Sequence, residues 1–316
     1  MTLQTLALGT TSLSISRIGL GGLPFGGHLG PVNRYEVIRT IQAALEGGIT
    51  LFDTSPSYGA GMAEAILGEM LASDSDNVIV ASKIGSGIDS GGQFWCLNNR
   101  PNVLRQVEGS LRRLRRDCID IYVIPGDDPT TPISETLEAM EELRARGKIR
   151  LIGYCTAKVQ CLSEAMKYGR IDVVQTPYNI LNRSAEIVSF CSSRGIPFFG
   201  CEPYFRGLLP GMLHKNSSFD LDDLRIEDKR FRGEHYRKNI ENVNLLRAIA
   251  EMEGLSMAQL SLGWVLHNPN VTAAICGAKS RLQIRQSILA CSTELKPDTI
   301  RAIDQVVGED VRQQNE

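Results

Sequence analysis

An aspartate, a tyrosine and a lysine in this sequence could together perform acid–base chemistry. Asp53 and Tyr58 lie five positions apart in LFDTSPSYGAGMAEAILG, and Asp53 directly follows an apolar pair. Lys83 ends the next apolar run, NVIVASK. Because the carboxyl ends of parallel strands lie on one rim of a sheet, we expect these three side chains to meet there.

A tyrosine beside a lysine can act as a general acid or base. The phenol has an ordinary pKa of about 10, and a neighbouring ammonium lowers that pKa by favouring the phenolate. Asp53 can hold the ammonium by a charge-assisted hydrogen bond, so that Tyr58 exchanges a proton with a carbonyl or an alcohol. Taken singly, each residue has a structural explanation, as a helix cap, a packing residue and a solvated charge. Their common position at the carboxyl ends of strands favours a catalytic role.

The composition is that of an ordinary globular chain. Its 316 residues are 42% hydrophobic and 22% charged, which is enough to bury a sizeable core. The net charge of −2 gives no reason to expect nucleic acid or an anionic membrane as a partner. No apolar run approaches the roughly 20 residues of a membrane helix, and the start lacks signal-peptide features. The eight cysteines include no CxxC pair, which argues against zinc and for a reduced, cytoplasmic chain.

Strand and helix patterns alternate along the chain. Residues 3–18 have the pattern of a hairpin that turns at Gly9, and eight strand–helix units follow it. Residues 84–100 and 205–238 are expected to be irregular loops. The predicted strands are 18–22, 49–53, 78–83, 118–124, 149–154, 172–175, 196–203 and 271–277, and the predicted helices are 33–44, 62–72, 101–116, 132–147, 158–168, 183–194, 239–253, 256–267, 280–291 and 297–307.

This alternation predicts the fold class. Strands that alternate with helices pair in parallel, and eight units favour a closed (β/α)8 TIM barrel over an open sheet. We expect one domain over residues 1–316, with an N-terminal β-hairpin and extra C-terminal helices. No GxGxxG motif lies between the first strand and its helix, which counts against a Rossmann domain.

Several motifs, all in one order, resemble the aldo-keto reductase family. FDTSPSYGAGMAEAILG is similar to the family's FDTAxxYGxGxSExxLG, and ASK is similar to its strand-end lysine motif. LRRLRRDCIDIYVI, IDVVQTPYN and AQLSLGWVLHNPNVTAAICGAKS follow collinearly. The resemblance implies a (β/α)8 barrel that binds NADP(H), or less often NAD(H), across its rim. It also implies hydride transfer between the nicotinamide and an aldehyde, ketone or alcohol, with Asp53, Tyr58 and Lys83 as the catalytic acid, tyrosine and lysine.

The sequence departs from the family at its active-site histidine. It reads IYVIPGDDP where the family usually has IYLxHWPDP, so the histidine position falls on Pro125. Proline has no side-chain donor or acceptor. Asp127 or Asp128 is a candidate replacement, although PGDDP favours an interpretation as turn acids. His28 and His235 stand in loops that can reach a barrel mouth, but we interpret both as surface residues.

The nicotinamide site departs as well. The family's Ser-Asn pair falls on Cys155 and Thr156, while its glutamine is kept as Gln175. The stacking aromatic residue and the serine after it fall on Cys201 and Glu202, so that Tyr204 or Phe205 is a candidate source of a ring. The two cysteines are interpreted as small apolar residues rather than reactive thiols.

The adenosine end is closer to the family pattern. The helix predicted to start at 280 offers unpaired N–H groups to a phosphate, and Lys279 and Arg281 add cations that suit a 2′-phosphate. The coenzyme contacts implied by the resemblance, besides those already named, are Gly22, Leu23, Arg206, Gly207, Leu208, Gly277, Ser280, Gln283, Gln286 and Ser287.

The leading hypothesis is an NADP(H)-dependent oxidoreductase that acts on a small aldehyde, ketone or sugar-like substrate. A second hypothesis is a lyase or isomerase on the same barrel, in which Glu202 and the Tyr58–Lys83 pair move protons. A third is a coenzyme-binding regulatory subunit with little turnover, which the intact trio argues against. The sequence leaves the oligomeric state open.

Overall fold

Eight parallel strands close into a barrel, as the sequence predicts. The computed structural model describes residues 3–308 except residue 75 and residues 89–93. Strands β1 and β2 form the N-terminal hairpin, and β3, β4, β5, β8, β9, β10, β11 and β12 follow one another around the barrel until β12 pairs with β3. The strands are β1 Thr5–Ala7, β2 Ser14–Ser16, β3 Ile18–Gly21, β4 Leu51–Asp53, β5 Ile79–Lys83, β6 Ser86–Ile88, β7 Phe94–Cys96, β8 Ile119–Ile124, β9 Ile149–Cys155, β10 Val173–Pro177, β11 Phe198–Cys201 and β12 Ala273–Gly277.

Helices connect the barrel strands and cover them on the outside. The helices are α1 Arg34–Glu46, α2 Met62–Met70, α3 Arg100–Leu114, α4 Ile133–Ala145, α5 Val159–Ala165, α6 Ala185–Ser193, α7 Gly233–Met252, α8 Met257–His267, α9 Arg281–Ala290 and α10 Pro297–Val307. Polar side chains cap several of them at their first turn. Asn33 caps α1, for example, and Ser256 forms a capping box with Gln259 on α8.

Alternate residues of the barrel strands fill its interior, and this alternation positions the site. Leu51, Ala81 and Val173 belong to a buried cluster inside the barrel. Two residues further along the same strands come Asp53, Lys83 and Gln175. Because side chains of a strand alternate between its faces, these polar groups also point inward, at the carboxyl ends of the strands. The hairpin closes the opposite end, where Leu8 and Ile15 join the same cluster.

Two predicted loops contain regular structure. In the 84–100 segment, β6 and β7 pair in antiparallel fashion, with Gly87 opposite Trp95. In the 205–238 segment three short 3-10 turns form, and the aspartates at 223 and 228 cap two of them. Helix α7 begins at Gly233, six residues before the predicted start, because Tyr236 packs against Phe219 and Phe231. Tertiary packing of this kind is invisible to local sequence patterns.

Candidate active site

A buried ion pair forms the base of the barrel mouth. The Lys83 Nζ donates to both carboxylate oxygens of Asp53, at 2.7 and 2.8 Å, and to the Thr54 backbone carbonyl at 2.9 Å. The lysine and aspartate side chains are only 11% and 6% exposed. Burial alone lowers the pKa of Lys83, but the Asp53 carboxylate more than reverses this, so that the pKa lies above its ordinary value. Lys83 is therefore a fixed cation.

Tyr58 lies above this pair on the turn that follows β4. The Lys83 Nζ is 5.4 Å from the centroid of its ring. Burial raises the pKa of Tyr58 to about 12, although Lys83 acts to lower it, while Asp53 and Cys201 add smaller upward contributions. The sequence-based expectation of a net lowering of this pKa is therefore wrong. The cause is that Asp53 offsets most of the charge of Lys83, whereas the desolvation of the phenol is not offset.

Gln175 extends the network and leaves one acceptor unpaired. Its Nε2 donates to Asp53 Oδ2 at 2.9 Å. Its Oε1 is fully buried and has no hydrogen-bond partner among the described residues. A buried unpaired acceptor is costly unless a ligand satisfies it. The amide of a nicotinamide is a donor that suits this oxygen, so the residues present fit a nicotinamide coenzyme.

Small side chains line the mouth around this acceptor. Cys155 lies level with Gln175 on the neighbouring strand, and Cys201 ends β11. Burial raises the pKa of Cys155 to about 11 and raises the pKa of Cys201 well above its ordinary value. Both are thiols at neutral pH, as expected of small apolar residues. The Thr156 backbone carbonyl accepts from Thr176, and its side chain accepts from the Lys158 amide.

Neither of the two candidate residues, Tyr204 and Phe205, supplies the aromatic ring that is missing at position 201. The Tyr204 hydroxyl donates to Ser287 at 2.8 Å, which fixes its ring against α9. Phe205 is fully buried and stacks on Phe231 at 5.8 Å between centroids. The suggestion that either ring covers the nicotinamide is therefore wrong, because both rings pack against the body of the protein.

Glu202 belongs to a closed set of ion pairs. Its two oxygens accept from Arg206 at 2.7 Å and from Arg230 at 3.1 Å, and both arginines also bind Asp228. Burial alone would raise the pKa of Glu202, but the two guanidinium groups lower it below its ordinary value. The Glu202 carboxylate therefore stays ionised and paired. In the same loop, the amides of Gly207 and Leu208 already donate to backbone carbonyls.

The loop that follows β8 provides no substitute for a histidine. Pro125 is buried, and the exposed Asp127 accepts from the Tyr154 hydroxyl. Asp128 accepts from the amides of Asn98 and Thr130, at 2.8 and 2.9 Å. These contacts organise the loop, and both acids are turn acids here.

The prediction that His28 is an ordinary surface residue is wrong. Its ring makes an edge contact with Tyr58, with centroids 6.4 Å apart. Its Nε2 lies 3.0 Å from the Ser57 carbonyl oxygen. The signal available in the sequence was its position in the glycine-rich loop directly after the first barrel strand, on the same rim as Tyr58.

Near the first barrel strand, a glycine allows the backbone to approach the site. The Gly22 amide donates to the Asp53 carbonyl at 2.7 Å, and a Cβ at Gly22 would lie 3.1 Å from that oxygen. Leu23 opens the short 3-10 turn that follows. Larger residues at position 22 would displace the strand end that carries Asp53.

The start of α9 carries several of the residues that the sequence predicts for the adenosine end. Ser280 caps the helix at the Gln283 amide, and the Gln283 side chain accepts from the Lys279 amide at 2.7 Å. Lys279 turns towards the Leu29 carbonyl, while Arg281 is exposed and has no ion pair among the described residues. Gly277 and Gln286 are also exposed. Ser287 is buried and bound to Tyr204, so its hydroxyl is already occupied.

Comparison with known proteins identifies the family of this chain. The model of the aldo/keto reductase family matches residues 17–307. The chain belongs to the aldo-keto reductase family. It is 32% identical over 313 residues to the aldo-keto reductase YhdN of Bacillus subtilis (strain 168), which covers 97% of this chain and 89% of the relative. It is 30% identical over 311 residues to the NADH-specific methylglyoxal reductase of Escherichia coli (strain K12), with 93% and 95% covered.

Solved structures of aldo-keto reductases share the fold. The glycerol dehydrogenase AKR11B4 of Gluconobacter oxydans superposes with a TM-score of 0.83 at 28% identity, covering 96% of this chain and 94% of that one. The aldo-keto reductase AKR11C1 of Bacillus halodurans, in its holo form, gives 0.80 at 27% identity, covering 98% and 99%. The chain is therefore an oxidoreductase of a nicotinamide-dependent family. Among its described residues, no helix could cross a membrane and no cluster of side chains could hold a metal ion.

Proposed function

We propose that this aldo-keto reductase reduces a small carbonyl compound, with Tyr58 as the group that donates the proton. The observation that carries the proposal is the Lys83 ammonium, which binds Asp53 through two hydrogen bonds and faces the Tyr58 ring. A phenol held in this way delivers a proton to a carbonyl oxygen during reduction and takes it back from an alcohol during oxidation. The nicotinamide, when bound, supplies the hydride.

Different residues of the candidate site would bind different parts of the coenzyme. Gln175 and Asp53 would hold the carboxamide, and Cys155 and Cys201 would leave room for the ring. The loop from Arg206 to Leu208, in which Arg206 and Gly207 are partly exposed, would contact the pyrophosphate. The residues that would hold the adenosine end are Gly277, Lys279, Ser280, Arg281, Gln283, Gln286 and Ser287, of which Ser287 contributes packing rather than a free hydroxyl.

The coenzyme that we propose is NADP(H). Lys279 and Arg281 stand in one turn at a helix start, where a 2′-phosphate would meet two cations and unpaired N–H groups. The Escherichia coli relative is named as NADH-specific, so the coenzyme is a property that must be measured for this chain. We also propose a cytoplasmic location, which agrees with eight free cysteines.

The contacts of Glu202 weigh against a lyase or isomerase. A general base needs a free lone pair and a pKa matched to its task. Both Glu202 oxygens accept from arginines, and these arginines hold its pKa below the ordinary value. Reduction assisted by Tyr58 therefore remains the best-supported reaction.

A titration followed by turnover tests the proposal. The purified protein is titrated with NADPH and NADH, and the absorbance at 340 nm is followed as aldehydes, ketones and sugars are added. Binding followed by a loss of absorbance that depends on the carbonyl is the expected result. Binding without any oxidation of the nicotinamide would favour a regulatory or non-redox role, and no binding would refute the coenzyme site.

A further inference from the structure

We propose that His28 is the positioning residue of Tyr58 and that it connects Tyr58 to the crossing segment. The crossing segment is defined as residues 219–230, whose Arg225 spans from the Leu29 carbonyl to the Arg206 carbonyl. The proposal rests on the proposed function for the reaction that Tyr58 performs, whereas the contacts of His28 stand independently of that reaction.

The imidazole contacts the turn that carries Tyr58 at three points. The His28 Nε2 lies 3.0 Å from the carbonyl oxygen of Ser57, the residue before Tyr58. The same nitrogen lies 3.3 Å from the amide of Gly59, the residue after it. The two rings meet edge to face, with planes at 71°. His28 therefore constrains both the backbone and the ring of the proposed proton donor.

Either neutral tautomer of His28 can hold the turn. A ring nitrogen donates when it is protonated and accepts when it is not. With the proton on Nε2, His28 donates to the Ser57 carbonyl. With the proton on Nδ1, Nε2 accepts from the Gly59 amide. One hydrogen bond to the turn is thus kept in both tautomers, as expected of a residue whose role is positional.

The packing around His28 leaves the turn little freedom. A Cβ added at Gly26 would lie 2.5 Å from the Gly59 amide nitrogen and 2.9 Å from the His28 Cδ2. The glycine therefore allows the ring and the turn to approach each other. On the far side, the Ser57 hydroxyl donates to the Ser86 carbonyl and accepts from its amide. The turn that carries Tyr58 is thus held between His28 and β6.

The backbone of the same residue binds the crossing segment. The Leu224 amide donates to the His28 carbonyl at 2.9 Å. The adjacent Leu29 carbonyl accepts from Arg225 at 3.2 Å and from the Lys279 ammonium. Residues 28 and 29 therefore join three parts of the site: the Tyr58 turn, the crossing segment and the proposed phosphate end.

This role is more demanding here because position 125 is a proline. With no donor from that position, Tyr58 must orient the carbonyl as well as protonate it. A misplacement of about 1 Å at a reacting group can cost on the order of 10²-fold in rate. Loss of the His28 contacts should therefore reduce hydride transfer without removing any group that touches the substrate.

Two substitutions separate the polar contact from the packing of the ring. His28→Phe keeps a ring without a nitrogen, and His28→Gln places an amide near the position of Nε2. His235→Phe, at an exposed position on α7, is the matched control. In single-turnover measurements with saturating coenzyme, we expect His28→Phe to slow hydride transfer by roughly 10–100-fold, and His28→Gln to recover most of the rate. Coenzyme affinity should change by less than about threefold, because the contacts of the Leu29 carbonyl with Arg225 and Lys279 are kept.

Hydrogen exchange gives a readout that does not depend on turnover. Amides of residues 57–60 and 222–226 should exchange faster in His28→Phe and at the wild-type rate in His28→Gln and His235→Phe. Unchanged exchange in His28→Phe, unchanged hydride transfer, or equal losses in both His28 variants would overturn the proposal. If the wild-type protein transfers no hydride to any carbonyl, the proposed function fails, and the exchange measurement still decides the role of His28.

Discussion

At the scale of single residues, burial and nearby charges have opposite effects on the pKa of Tyr58. Its phenol is removed from water, while the nearby Lys83 charge is offset by Asp53 at 2.7 Å. The pKa of Tyr58 is raised to about 12 as a result. The group is a protonated acid throughout the neutral range, which suits reduction better than oxidation.

Replacing Tyr58 with Phe removes the proton donor and keeps the ring. General acid catalysis contributes about 10²–10⁴-fold, and we expect a fall of that size in carbonyl reduction. Coenzyme affinity should change little, because the proposed carboxamide contacts come from Gln175 and Asp53. Steady-state rates and coenzyme titration measure the two effects. Full activity in Tyr58→Phe would refute the assigned role.

The pH dependence should differ between the two reaction directions. Reduction needs the protonated phenol, which is present at all pH values below its pKa, so its rate should be flat between pH 6 and 9. Oxidation needs the phenolate, so its rate should rise about tenfold per pH unit below that pKa. Lys83→Met removes the cation that lowers the pKa of Tyr58, which raises that pKa further. Oxidation should therefore lose more activity than reduction.

Lys83→Met also leaves the buried Asp53 carboxylate unpaired, which destabilises the fold. The control is Lys83→Met with Asp53→Asn, which removes the unpaired charge. Rates in both directions, measured across the pH range for the wild type and both variants, provide the test. Equal losses in both directions, or an oxidation rate that does not depend on pH, would contradict the proposed role of Lys83.

At the scale of elements, repeating sequence patterns predict the barrel strands. Features that depend on tertiary contacts, such as β6, β7 and the placement of His28, are not predicted. Apolar runs predict every barrel strand, since strands buried on both faces are continuously hydrophobic. Strands β6 and β7 lie in the polar, glycine-rich stretch IGSGIDSGGQFWC, where no long apolar run marks them. Tyr204 and Phe205 follow Cys201 closely in the sequence, but their rings pack against α9 and Phe231. The placement of His28 follows from Gly26 and the Tyr58 turn, neither of which shows as a periodic signal.

Arg225 joins the crossing segment to neighbouring parts of the chain. Its guanidinium donates to Asp223 at 2.6 Å and reaches the carbonyls of Leu29 and Arg206, at 3.2 and 3.3 Å. It also lies 4.4 Å from the centroid of Phe219. One side chain thus joins the crossing segment to the loop after β3 and to the turn at Arg206.

Arg225→Ala should open the groove and speed the release of coenzyme. Two carbonyl contacts and a ring contact are lost together, so we expect a rise of about tenfold in the dissociation rate, equivalent to roughly 1.4 kcal/mol. Stopped-flow fluorescence of bound NADPH measures it. Arg237→Ala, an exposed arginine on α7 paired with Glu234 and Glu241, is the control and should match the wild type. An unchanged rate in Arg225→Ala would mean that the segment does not retain the coenzyme.

At the scale of the whole molecule, one end of the barrel carries the site and the other is closed. The hairpin seals the lower end with Leu8 and Ile15, and every proposed functional group lies on the upper rim. The coenzyme would therefore bind only the closed, folded barrel. A ligand of this kind stabilises the entire fold by mass action, by about 2.7 kcal/mol at a hundredfold excess over Kd.

Thermal stabilisation should report which coenzyme the adenosine end prefers. Burial and the nearby Arg225 lower the pKa of Lys279, and Asp223 only partly compensates. A 2′-phosphate beside Lys279 and Arg281 would relieve this repulsion, so NADPH should raise the Tm more than NADH does. Lys279→Ala with Arg281→Ala should remove most of that difference and leave the NADH shift nearly intact.

The matched control is Arg285→Ala, one turn further along α9, where the arginine pairs with Glu46 at 3.4 Å. A tenfold loss of NADPH affinity corresponds to about 1.4 kcal/mol and, for a chain of this size, to a Tm decrease of about 2–4 °C. Equal losses for the two coenzymes would remove the 2′-phosphate argument. A larger wild-type shift with NADH would assign NAD(H) to this reductase, because the cations would then bind only the pyrophosphate that both coenzymes share.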